Sequence, residues 1–97
     1  MIVHIVMFKF KEENKQSNIH RAKEMLEALA DKIETILSLE VGINFDKSER
    51  AFDMSIIVKF ETKEDLVAYA PHPEHLKVVE FIKSVTSESK VVDYIAS

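Results

Sequence analysis

Ile2-Val3-His4-Ile5-Val6-Met7-Phe8-Lys9-Phe10 is apolar at nearly every position and rich in β-branched and aromatic residues, the composition of a strand buried on both faces. Side chains alternate across a strand, so Ile2, His4, Val6, Phe8 and Phe10 share one face and Val3, Ile5 and Met7 the other. His4 therefore points into an apolar face. A sheet built around such a strand needs cover on both sides.

Downstream, Lys11 to Asn18 is polar, after which Ile19, Ala22, Leu26, Leu29, Ile33 and Ile36 recur at three- and four-residue steps. This predicts an amphipathic helix, with Ser17 or Asn18 able to cap its start. A second strand is expected over 39–45, where Gly42, the only glycine, predicts a bulge or a close backbone approach. Beyond the polar turn 46–50, a third strand over 52–60 puts Met54, Ile56, Val58 and Phe60 on one face and Ser55, Ile57 and Lys59 on the other. Thr62 can cap a short helix over 63–70 that Pro71 ends; Pro73 restarts a helix with Leu76, Val79, Phe81 and Ile82 as its apolar face. A last strand is expected over 89–95.

The order β-α-β-β-α-β, its second helical part broken at two prolines, is the ferredoxin-like pattern of an α+β fold with an antiparallel four-stranded sheet, here one domain over 1–97. Helices cover only one face of such a sheet, whereas its first and third strands are apolar on both. A second copy of the chain is the simplest cover, so a homodimer through the sheet faces, closing a barrel-like core, is expected.

At 97 residues, folding buries only roughly 60–65% of the open chain's surface, which again favours association. Hydrophobic residues make up 46% and charged residues 31%, an ordinary globular composition. No apolar run is long enough to span a membrane, and nothing near the N-terminus reads as a secretory leader. The absence of cysteine excludes disulfides and thiol catalysis and fits a reducing compartment; cytoplasm is the expected location. A net charge of −4 without a basic stripe argues against nucleic acid as a partner.

Any chemistry is concentrated in Tyr69-Ala70-Pro71-His72-Pro73-Glu74-His75, which holds two of the four histidines, both prolines and one of two tyrosines. Imidazole trades a proton near neutral pH. Pro73 suits the first helical position, His72 before it is biased to an extended backbone, and His75 then falls in the first turn.

These elements resemble the stress-responsive dimeric α/β-barrel (Dabb) domain family. The resemblance is carried by His4 to Phe10, Leu39-Glu40-Val41-Gly42, Ala51-Phe52-Asp53, Phe60-Glu61, Tyr69 with His72-Pro73-Glu74-His75, and Val92-Asp93-Tyr94. It covers essentially the whole chain, and the His-Pro-x-His element after an aromatic is its most specific part. One departure is Thr35-Ile36-Leu37, where relatives often have a proline-glycine turn. The resemblance implies a homodimer whose two sheets form a shared barrel, with a cavity between sheet and helices in each subunit. Some plant members are stress-associated structural proteins, and another plant branch resembles polyketide cyclases that close a poly-β-keto chain by aldol condensation. In that branch the catalytic positions match His75 as base and Tyr69 as the orienting phenol, with His4 also in the cavity. Met54 stands where that branch can have another polar residue. A cofactor-independent monooxygenase of the related barrel type shares the fold.

Two readings of the cluster follow. In one, His75, Tyr69 and His4 act on a small apolar or aromatic ligand with a carbonyl or hydroxyl, contacted by His72, Met54 and Phe8. In the other, the histidines cap and tie the broken helix to the sheet, as first-turn side chains can. No cofactor is expected. No metal is expected either, because no carboxylate or thiolate motif sets ligand spacing. Asp53 and Asp93, at strand positions, read as edge-exposed residues or as buried hydrogen-bond acceptors.

Overall fold

A computed structural model of residues 1–97 has strands β1 (Ile2–Phe10), β2 (Ser38–Ile43), β3 (Met54–Phe60) and β4 (Thr86–Ile95). Its helices are α1 (Lys15–Lys32), α2 (Lys63–Tyr69) and α3 (Pro73–Val85). The strands form one antiparallel sheet in the order β2-β3-β1-β4. This is the α+β ferredoxin-like arrangement, with the second helical part divided into two helices. None of the helices is long and apolar enough to cross a membrane.

The alternation expected of β1 and β3 is observed. Met54, Ile56, Val58 and Phe60 are all buried beneath the helices, and Ile2, Val6, Phe8 and Phe10 pack with them. α1 lays Ile19, Ala22, Leu26 and Leu29 onto the same core, continued by Ile33 just past its end. On the opposite face β1 contributes Val3, Ile5 and Met7, and the register sets them beside Ile57 of β3 and Val92 and Tyr94 of β4. No helix covers this second face. Met7, Val92 and Tyr94 are exposed on it.

Several local expectations are corrected. α1 starts at Lys15, ahead of Ser17 and Asn18; its cap position is Asn14, left-handed at φ 53° and without a side-chain cap bond, a conformation asparagine tolerates. β2 stops at Ile43 because Asn44 turns the chain: its Oδ1 accepts from the Asp46 N–H at 3.1 Å, an Asx turn that competes with the ladder. Phe45, expected in the strand, is 99% exposed. Gly42 makes neither a bulge nor a close approach, since a Cβ there would meet Ser55 Oγ at an ordinary 3.6 Å; the sheet's irregularity lies between Lys9 and Phe10 in the β1–β4 pairing. β3 begins at Met54 and not at 52, and β4 follows α3 directly from Thr86. In α3 the buried stripe is Val78 and Ile82, whereas Leu76 is exposed.

Candidate functional site

The break between α2 and α3 fixes the cluster. Thr62 caps α2 by accepting from the Asp65 N–H, and Pro73 opens α3 directly after His72, whose backbone is extended (φ −57°, ψ 132°). His72 Nδ1 accepts from the Glu74 N–H at 3.1 Å, so the imidazole serves as an N-cap residue. Its Nδ1 must then carry no proton.

His75 is held the other way round. Its Nδ1 lies 2.9 Å from the Ala70 carbonyl oxygen, and because a carbonyl can only accept, Nδ1–H donates and the neutral ring leaves Nε2 unprotonated. Its ring lies 4.1 Å from that of Tyr69, tilted by 36°. Also beside Tyr69, 5.9 Å away and edge-on, is His4. The β1–β4 register sets His4 opposite Asp93, and His4 Nδ1 is 2.5 Å from the Asp93 carboxylate. A carboxylate also only accepts, so in a neutral His4 the free lone pair is again on Nε2. His75 and a neutral His4 thus share one tautomer beside a single phenol.

Burial pushes the Tyr69 phenol up to about 12, so it stays a neutral donor across the physiological range. Burial also lowers the pKa of His75, and the neighbouring His4 and His72 lower it further, against the opposing bond to Ala70. His75 is therefore a neutral base at pH 7. The Tyr69 hydroxyl makes none of the chain's hydrogen bonds, and it is not sealed in, the single buried side-chain atom without a partner being Thr35 Oγ1.

These three side chains line one end of a cavity of about 140 Å³ between α3 and the sheet, walled by Val6, Phe8, Val78 and Ile82. Of the candidate residues, His4, Tyr69, His75 and Phe8 face it; His72 and Met54 do not. The His72 ring is used as the cap, and Met54 is a core residue beside the β2–β3 loop, near Ile43 and Phe52. Asp93 is the residue that sequence reasoning did not assign. Its signal is the strand register, which cannot be read without knowing that β1 and β4 are neighbours. Asp53 latches backbone away from the cavity, its carboxylate accepting from the Phe10 N–H at 2.7 Å. Nowhere are three His, Asp or Glu side chains grouped as metal donors.

The sequence profile of the stress responsive A/B barrel domain matches residues 2–96. The chain belongs to this family. Among curated relatives, one stress-response A/B barrel domain-containing protein of Arabidopsis thaliana is 34% identical over 98 residues, covering 99% of this chain and 37% of its own length. The chain thus spans little more than a third of that relative. Among solved structures, a dimeric protein of unknown function with a ferredoxin-like fold from Bacteroides fragilis is 32% identical with a TM-score of 0.87, covering 96% of this chain and 93% of that one. The hydroxynitrile lyase of Passiflora edulis superposes with a TM-score of 0.88 over 99% of this chain and 93% of its own, at 16% identity. That likeness shows the shared fold of this A/B barrel domain and nothing finer.

Proposed function

We propose that the protein is a homodimer that binds a small, mostly apolar carbonyl compound in each subunit and moves a proton on it, with His75 as base and Tyr69 as hydrogen-bond donor. The observation that carries this reading is the His75 Nδ1–H bond to Ala70, which leaves a bare Nε2 on a ring stacked against a neutral phenol. His75 Nε2 takes a proton from the carbon next to the carbonyl, and the enolate oxygen accepts a hydrogen bond from the Tyr69 hydroxyl. The imidazolium then returns the proton to the product. Asp93 holds His4 as a second oriented imidazole. This is the chemistry of lyases and aldol-type cyclases, in which a carbon–carbon bond forms or breaks beside a carbonyl. A cofactor-independent monooxygenase has only the fold in its favour. As for size, a cavity of ~150 Å³ takes a benzene-sized guest.

The test needs no knowledge of the natural substrate. With 2-heptanone in D₂O, the protein should speed exchange of the protons beside the carbonyl, read as loss of their NMR signal, and His75→Ala should return the rate to that of buffer. Wild-type protein no faster than free imidazole at equal concentration would sink the reading. A purely structural latch uses the same Ala70 bond, and it predicts no exchange at all.

The dimer is supported by the apolar sheet face of Ile5, Met7, Ile57, Val92 and Tyr94, which no helix covers and on which Met7, Val92 and Tyr94 are exposed, the kind of patch that marks an interface. A relative that is 32% identical is described as dimeric. Sedimentation should give twice the 11.2 kDa chain mass, and Ile57→Lys, placing a charge at the middle of the face, should give the monomer. A wild-type monomer at micromolar concentration would refute the dimer.

A further inference from the structure

We infer that the end of the cavity far from His75 selects a ligand terminating in a carboxylate, with Lys83 and Ser89 as its receptors; this rests on the reading that the cavity holds a ligand. The cavity is elongated, and two independent rulers agree on its length. α3 runs alongside β1 in the same direction: His75 and His4 both flank Tyr69, while the Val85 carbonyl at the other end of α3 accepts from the Lys11 N–H just past β1. Along α3, the eight residues from His75 to Lys83 rise about 12 Å. Along β1, the four from His4 to Phe8, which pairs with Ser89, rise about 13 Å. Spreading 140 Å³ over that length makes a slot for an extended chain.

The two ends of the slot differ in what they offer. His4, Tyr69 and His75 present two imidazoles and a hydroxyl. At the other end Lys83 lines the cavity and takes part in none of the chain's ion pairs. Beside it the Thr86 hydroxyl is already donated to the Ile82 carbonyl, whereas that of Ser89 makes no hydrogen bond in the structure. No Asp or Glu lines the cavity, although the chain carries a net charge of −4. An unopposed ammonium with one free hydroxyl, at the mouth of an apolar slot, matches a monoanionic carboxylate; a phosphate dianion would call for more donors. The substrate class is then a short-chain acid whose far end carries the carbonyl on which His75 works.

Octanoate and methyl octanoate separate charge from chain, and their binding to the full chain can be followed by NMR titration. Octanoate should bind roughly 10- to 100-fold more tightly than its ester, the range for a charge-assisted bond. Lys83→Met should remove that preference by weakening octanoate alone, Lys83→Arg should restore most of it, and added salt should erode it. If both probes bind equally, or Lys83→Met keeps the preference, the inference fails while the cavity reading stands, and Lys83 serves only the C-terminal dipole of α3. If neither probe shifts the resonances of Tyr69 and His75, both fail together.

Discussion

The helix-covered face of the sheet has two halves built on opposite rules. Under α1, Ala22, Leu29 and Ile33 meet Ile56 and Val58 with almost no solvent exposure and no buried polar residue. Under α3, one strand over, the same sheet presents His4, directly opposite Val58 in the β1–β3 ladder, with Tyr69 and His75 near it and a cavity beside them. A dry, close-packed half is where burial stabilises most per residue, and a half holding imidazoles, a phenol and empty space gives up contacts to keep oriented polar groups. On the proposed function, stability rests in one half and chemistry in the other.

The strongest way to break that contrast is to cut into each half and compare losses of stability. Leu29→Ala removes a side chain that is 1% exposed and should cost about 2–5 kcal/mol in chemical denaturation, while the remaining folded protein exchanges ketone protons at the wild-type rate. His75→Ala loses one partly exposed hydrogen bond and a ring contact, so it should cost about 1 kcal/mol yet abolish exchange. If the histidine variant proved the less stable of the two, the α3 half would be a structural latch and the assignment would reverse.

The fold was legible because its signals are periodic and local. Met54, Ile56, Val58 and Phe60 alternate, the α1 apolar stripe repeats at helical spacing, and Thr62 and Pro73 mark helix starts by their own chemistry. The site was half legible. His75 and Tyr69 are close in sequence and end up stacked, but His4 and Asp93 lie 89 residues apart and meet only through strand register. His72 was legible as a cap in one of the two readings of the cluster, and its ring accepts from the Glu74 N–H, although imidazole is not among the usual capping side chains. Leu76 fits the spacing of a buried face, but spacing alone does not say which of two overlapping apolar stripes faces the sheet; the sheet takes Val78 and Ile82. Phe45 extended an apolar pattern that the Asn44 turn overrode.

Acid sharpens the same comparison, since the dry half has nothing to titrate. The pKa of His75 is lowered in the folded protein from 6.5, so as pH falls through about 6.5 the unfolded chain takes up this proton first and stability drops. The contribution is intact above that value and is lost progressively as pH falls towards the lower folded pKa. Denaturation midpoints between pH 8 and 5 should therefore decline in wild-type protein and less in His75→Ala, whereas Leu29→Ala should keep the wild-type slope. Identical slopes in wild type and His75→Ala would place the acid-sensitive group elsewhere.

The smallest effect on stability is the most telling about the site. Tyr69 is among the most buried residues of the α3 half, at 3% exposure, and its ring contacts Phe60 as well as both histidines. Its hydroxyl, however, makes no hydrogen bond in the structure, so Tyr69→Phe keeps every packing contact and removes a polar group with no partner to lose. Unfolding free energy should change by less than about 0.5 kcal/mol, or rise slightly. If that hydroxyl is the donor to an enolate oxygen, ketone exchange should nevertheless fall by roughly 100-fold, the loss expected for a single oxyanion donor. Stability and turnover would then be carried by different atoms of one side chain: the ring belongs to the core, the oxygen to the cavity. A Tyr69→Phe protein that lost stability and kept exchange would show the reverse, an oxygen held for structure, and would remove the phenol from the mechanism while leaving His75 as the base to be tested alone.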